Sequence, residues 1–262
     1  SYVDKVFPSV ALEQDFDSLT SGSISHRIIE LYLKEKLTHD DVPALTRRVM
    51  DEYIRENDLE LPGEAYLEWE LLFNHRSMNG ILFLEKLSEG LGETITWHPE
   101  EEFDFTEDYR MKGKIDCLGI SDRYIILLDF KSTKGAGSTN KEIETLQSLQ
   151  LWAYAKAASI SQKDFAKKDI IMGFVSLDKP VESNLFHSSP EVEKALRAQK
   201  LCTQGKPKTD FRELFREAGE KMQSLALAIR SEKNFVAQPR KDKVCNFCEL
   251  NKVCVKTVVN HE

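Results

Sequence analysis

Two aliphatic runs separated by a polar triplet constrain the fold of this chain more than any other feature. Residues Met111 to Ile120 and Tyr124 to Phe130 are rich in β-branched and aliphatic side chains, and Ser121-Asp122-Arg123 interrupts them. That pattern predicts two strands joined by a tight turn. Charges sit inside the aliphatic runs: Asp116 in Gly113-Lys114-Ile115-Asp116, and Asp129 and Lys131 in Leu127-Leu128-Asp129-Phe130-Lys131. Because strand side chains alternate, Asp129 and Lys131 share one face, and the backbone carbonyl of Phe130 lies between them. Asp116 joins them from the neighbouring strand.

Two carboxylates and a carbonyl form the oxygen-rich ligand set that Mg2+ or Mn2+ prefers, and a hard cation so held activates water and neutralises a phosphate. Lys131 is placed to orient that water or to steady the charge developing on phosphorus. The alternative is an ordinary hairpin carrying an exposed Asp–Lys pair, which would stabilise the fold little.

Two further elements bear on that choice. Gly22-Ser23-Ile24-Ser25-His26 opens a predicted helix through Arg27-Ile28-Ile29-Glu30-Leu31, and Gln150 and Tyr154 sit four residues apart in a helical run after the lysine. Gln147, three before Gln150, would extend the same stripe. Taken in order, Gly-x-x-x-His, Gly-x-Ile-Asp, Asp-x-Lys and Gln-x-x-x-Tyr resemble the RecB-like branch of the PD-(D/E)XK nuclease superfamily. The resemblance spans residues 22 to 154.

It implies a restriction-endonuclease-like α/β core, a mixed central sheet flanked by helices in αβββαβ order, with Asp116, Asp129 and Lys131 as the hydrolytic centre. His26 becomes a further metal ligand or phosphate contact, although a lone helical histidine is ordinarily a surface or core residue. Gln150 and Tyr154 become positioning groups for the DNA strand or for Lys131, rather than the polar edge of a packed helix. Glu30 could reach a metal through water or simply pair with a surface lysine. The family often adds an upstream acid. Glu93, at the start of the predicted strand Thr94-Ile95-Thr96-Trp97, is the first candidate, and Glu68, Glu70 and Glu102 compete with it.

Near the C-terminus, Cys245, Cys248 and Cys254 stand in C-x2-C-x5-C spacing after Phe235-Val236-Ala237-Gln238-Pro239. Thiolates so spaced converge on one soft metal centre, but three sulfurs leave a fourth position open. The arrangement resembles the C-terminal part of iron-sulfur nucleases of the AddB and CRISPR-associated type, in which the fourth cysteine lies near the start of the domain. Here no cysteine precedes Cys117, which reads as a small core residue. Cys202 could complete an iron-sulfur cluster, His261 could instead complete a zinc site, the missing cysteine could belong to a segment outside this sequence, or the thiols could be unligated packing residues.

A chain of 262 residues, 41% hydrophobic, suffices for one nuclease domain, with a core over about 22–180 and a C-terminal helix and cysteine tail over about 196–262. No apolar run reaches the roughly 18 residues of a spanning helix, and the N-terminus lacks the basic and apolar segments of a secretory signal. Five cysteines, none in a disulfide-like framework, fit a reducing intracellular compartment.

A net charge of −8 argues against nucleic acid when taken alone, but Leu196 to Val244 holds 12 Lys or Arg against 6 Asp or Glu. That stretch could track phosphates, or could be a mixed solvated face on a helix from about Asp210 to Arg230. The segment Lys134 to Thr139 is predicted as a loop beside the cleft.

The expected activity is that of a divalent-metal-dependent deoxyribonuclease, an exonuclease of recombination, repair or phage-type DNA processing. Its substrate would be single-stranded DNA or DNA with free ends, with a helicase or recombination factor as a conceivable partner. The competing readings are a catalytically silent nucleic-acid-binding or scaffolding module and a site-specific endonuclease of the same superfamily.

Overall fold

The computed structural model describes residues 18–132, 139–180, 183–201 and 210–231. Among the described residues three helices come first: α1 (Ser18–Glu35), α2 (Val42–Glu56) and α3 (Gly63–Leu91). Ile24, Ile28, Ile29 and Tyr32 recur at helical spacing on α1 and are buried, so that face turns inward. Helix α2 starts with Pro43 in its first turn, where a missing N–H costs nothing. Helix α3 ends at Gly92, whose φ of 67° is a left-handed stop that glycine adopts without strain.

Five strands follow: β1 (Thr96–Thr106), β2 (Arg110–Ile120), β3 (Tyr124–Lys131), β4 (Asp169–Ser176) and β5 (Asn184–His187). Between β3 and β4 lie the short α4 (Asn140–Glu144) and α5 (Gln150–Ser161); α6 (Pro190–Ala198) and α7 (Phe211–Ser231) come after β5. The strands form one mixed sheet in the order β1-β2-β3-β4-β5. Only β3 and β4 run parallel, as a crossover through helices requires.

Every residue of β3 but Lys131 is buried, and every residue of β4 but Asp169. Both strands are covered on both faces, which is why they read as continuous apolar runs rather than alternating ones. On one face Ile126, Leu128, Phe130, Ile171 and Val175 join a core with α1, α2 and α3. On the other lies α5, packed on β3 and β4. Its Trp152 is fully buried against Phe186 and Phe211, with ring centroids 5.8 and 5.4 Å away, and its indole N–H donates to the Ile143 carbonyl.

This is the expected mixed sheet flanked by helices, in the expected αβββαβ order, with β5 as an addition that the sequence did not announce. Other expectations needed adjustment. The strand predicted over Thr94 to Trp97 runs on to Thr106. Gly22 to His26 lie inside α1 rather than at its start. Gln147 falls in the turn before α5, outside the helix.

The predicted loop, Lys134 to Thr139, lies outside the described residues except for Thr139, which caps α4 through a reciprocal pairing with Glu142. The predicted C-terminal helix is present as α7. In its described part Arg212 donates to the Ala166 carbonyl, Lys221 to the Leu146 carbonyl, and Arg216 pairs with Glu220. The chain divides into two compact units, Ser1–Lys221 and Met222–Glu262, with the boundary inside α7. Among the described residues no helix is long and apolar enough to cross a membrane.

Candidate active site

Strands β2 and β3 pair only from Cys117↔Leu128 to Ile120↔Ile125. Before Cys117 β2 leaves β3, continuing as a two-stranded ribbon with β1. Asp116 stands at that parting. Its Oδ2 accepts the Phe130 backbone N–H at 2.8 Å, so the carboxylate occupies the place where the next ladder bond would have formed. The predicted meeting of Asp116 with Asp129 and Lys131 follows from this geometry.

Asp129 is only 2% exposed. Its Oδ1 accepts from the Gln150 amide and from the Tyr154 hydroxyl, the latter at 3.1 Å, and Gln150 also reaches the Tyr154 oxygen at 3.0 Å. One turn of α5 separates Gln150 from Tyr154, so both address the same oxygen. Burial beside Asp129 raises the Tyr154 pKa, which keeps the phenol protonated as a donor.

Lys131 Nζ stands 2.6 Å from Asp129 Oδ2 and 5.3 Å from the centre of the Phe174 ring. Beyond this ion pair Oδ2 has no hydrogen-bond partner. A buried carboxylate oxygen thus has a charge partner and still a lone pair to give.

His26 projects from α1. Its Nε2 lies 3.0 Å from the Phe130 carbonyl and its Nδ1 3.5 Å from Asp116 Oδ2. Burial lowers its pKa, with Asp129 and Glu100 opposing. With the ring proton on Nε2 and donated to Phe130, Nδ1 presents a lone pair to a carboxylate oxygen. Two lone pairs facing each other repel unless a proton or a cation lies between them. Asp116 itself is pushed up to about 8, first by burial and then by the charge of Asp129. Paired buried carboxylates resist ionising together, and a cation relieves that penalty.

Glu100 completes the group, and sequence reasoning missed it. One ligand atom each from His26, Glu100 and Asp116 lie within 4.8 Å of one another. Glu100 stands opposite Asp116, between the pairs Pro99↔Cys117 and Glu101↔Ile115. Its φ of 56° is left-handed, a conformation that costs a non-glycine residue roughly 1 kcal/mol. Strain of this kind gathers at functional sites. Lys114 pairs with its carboxylate at 2.8 Å. The signal that could have found it was the hairpin register: a ribbon turning near Glu107 and Asp108 sets Glu100 across from Asp116. Pro99 and three successive glutamates hid that strand.

The other upstream acids lie elsewhere. Glu93 accepts from Ser121 Oγ and from the Arg123 N–H. It therefore secures the β2–β3 turn, at the end of the hairpin away from Asp116, and is replaced by Glu100 as the acid facing Asp116. Glu70 pairs with Arg47 at 2.7 Å, Glu68 is exposed, and Glu102 stands across from Lys114. Glu30 takes the plainer of its two readings, paired with Arg27 and Lys34. Cys117 is a fully buried core residue. Cys202, Cys245, Cys248, Cys254 and His261 lie outside the described residues.

Fold and site together define a class: a mixed α/β core in which two strands part around a buried carboxylate, two half-buried ones, a lysine and a histidine. The chain matches the family model of the PD-(D/E)XK nuclease superfamily over residues 1–255 and belongs to that superfamily. Among solved structures it is similar to the protein SSO0001, at 15% identity and a TM-score of 0.31 over 90% of this chain and 84% of the other. It is also similar to a protein described as a "putative exonuclease" from Eubacterium rectale, at 10% identity and a TM-score of 0.37 over 87% and 79%. No curated protein matches it in sequence.

Proposed function

We propose that this protein is a divalent-metal-dependent deoxyribonuclease of the RecB-like branch, acting as an exonuclease on DNA with free ends. The observation that carries the reading is the convergence of lone pairs from a neutral His26, Asp116 and Glu100 beside the buried Asp129–Lys131 pair. Acidic oxygens packed this closely suit a hard cation such as Mg2+ or Mn2+.

His26 Nδ1, Asp116, Glu100 and Asp129 Oδ2 would hold the ion, and the Phe130 carbonyl keeps a second lone pair beyond the one His26 uses. Bound there, the ion would supply Lewis acidity toward a phosphate oxygen and lower the pKa of water. Lys131 orients the attacking water and offsets charge as the phosphorus–oxygen bond to the leaving strand breaks. Gln150 and Tyr154 fix the Asp129 carboxylate, a role nearer to the metal than the positioning of the DNA strand or of Lys131 that the sequence led us to expect.

In this proposal residues 1–262 form one nuclease domain. Its tail holds an iron-sulfur cluster through Cys245, Cys248 and Cys254, with Cys202 as the fourth ligand, or zinc with His261 in that place. The support for the tail site is ligand spacing in the sequence. Iron and zinc analysis of anaerobically purified protein separates the two metals. The activity test gives end-labelled linear and circular DNA to the purified protein with Mg2+ or Mn2+. Loss of label from ends, no attack on circles, and silence in EDTA are expected; cleavage that survives EDTA would sink the metal-dependent reading.

A further inference from the structure

Between the ribbon and α5 runs a contact that belongs to no ligand set yet leads to one. Phe103 on β1 stands directly across from Gly113 on β2. Its ring tip covers the glycine so closely that a Cβ built there would lie 2.7 Å from Phe103 Cζ and 3.2 Å from Cε1. Only the bare glycine lets an aromatic ring lie flat across the strand at this point. The same ring stacks on Phe105 at 6.1 Å and meets the edge of Tyr154 at 6.3 Å and 72°. A second tie joins ribbon and helix: Lys156, two residues after Tyr154, pairs with Glu107 at 2.6 Å.

Resting on the metal site proposed above, we propose that Phe103, seated on Gly113, is a positioning residue that fixes the Tyr154 ring, and through its hydroxyl the Asp129 carboxylate. A phenol can aim its hydroxyl only where its ring is held. Tyr154 has two χ angles, and its oxygen lies 3.1 Å from Asp129 Oδ1. A ring free to tilt moves that donor away from the carboxylate. Asp129 would then present Oδ2 to the cation over a range of orientations instead of one. The glycine of the Gly-x-Ile-Asp element thereby acquires a physical reason beyond strand geometry, namely room for the ring that steadies the opposite carboxylate.

The test combines Phe103→Leu, Gly113→Ala and Tyr154→Phe with Asp129→Asn as reference. Two readouts are taken on each folded protein, Mn2+ affinity by calorimetric titration and kcat on linear DNA. Phe103→Leu is expected to weaken Mn2+ binding and to lower kcat by about 3- to 10-fold each, below the 10- to 100-fold typical of groups bonded directly to a ligand. KM for DNA should not change. Gly113→Ala, which displaces the ring, should give the same signature and serves if Phe103→Leu folds poorly.

The decisive arm is the double variant. Once Tyr154→Phe has removed the hydroxyl, Phe103→Leu should add nothing to either loss. Losses that multiply in the double variant, or a fall in thermal stability with Mn2+ affinity intact, would overturn the positioning role. If Asp129→Asn binds Mn2+ as well as the natural protein, the metal site itself is wrong and this inference falls with it. Impaired Mn2+ binding by Asp129→Asn beside an unaffected Phe103→Leu overturns only the inference.

Discussion

At the scale of single residues, the site sets charges where the fold resists them. Asp116→Ala, Asp129→Ala and Lys131→Ala are each expected to lower DNA cleavage by about 10²- to 10³-fold, the order seen when a group that stabilises transition-state charge is removed, with unchanged circular dichroism. Glu100 gives a two-sided prediction. Asparagine tolerates its left-handed backbone better, and the change removes a carboxylate from the cluster with Asp116. Glu100→Asn should therefore make the metal-free protein more stable by roughly 0.5–1 kcal/mol while weakening metal binding; denaturant titration and Mn2+ titration check the two halves.

His187 is 2% exposed, and burial lowers its pKa below 6.5 against the opposing effects of Glu193 and the Ser189 backbone. Below that value the unfolded chain takes a proton that the folded one refuses. Its contribution is thus complete above about pH 6.5 and is lost as the pH falls. His187→Gln should flatten the fall in melting temperature between pH 7.5 and pH 5 relative to the natural protein.

At the scale of elements, α5 links packing to the site. Its Trp152 fills the face of the sheet opposite α1 to α3, and Gln150 and Tyr154 extend from the same helix to Asp129. Trp152→Ala is expected to cost about 3–5 kcal/mol in chemical denaturation, with activity lost through unfolding rather than through altered metal affinity in the folded fraction. Helix α3 approaches α1 at Gly80, where a Cβ would come within 2.6 Å of Ile29 Cδ1 and 3.0 Å of Leu177 Cδ2. A larger side chain such as valine there should cost about 1–3 kcal/mol by overpacking. Strands β3 and β4 were legible because burial on both faces leaves an unbroken apolar run, and β2 because its second half, from Ile115 on, is aliphatic and largely buried beside them. Most of β1 was not, since its Pro99 and glutamates belong to a ribbon exposed over much of its length and stabilised by pairing rather than by burial.

For the whole molecule, a site built to hold a cation makes stability depend on that cation. Mn2+ at 100 times its Kd should stabilise the protein by about 2.7 kcal/mol, seen as a rise in melting temperature that Asp116→Ala abolishes; no rise in the natural protein would contradict the site. The sequence by itself determined the sheet's central strands and the grouping of Asp116, Asp129 and Lys131, which follow from local periodicity and from alternation within one hairpin; the αβββαβ order of the core came from the likeness of four ordered motifs to the superfamily, because periodicity alone allows only a generic α/β domain. Tertiary structure decided what local pattern cannot encode: that Glu100 rather than Glu93 faces Asp116, that His26 meets the Phe130 carbonyl across 104 residues, and that Gln150 and Tyr154 grip Asp129. Those choices depend on the register of a polar ribbon and on how helices seat against a sheet, and both are set by the packing of distant side chains.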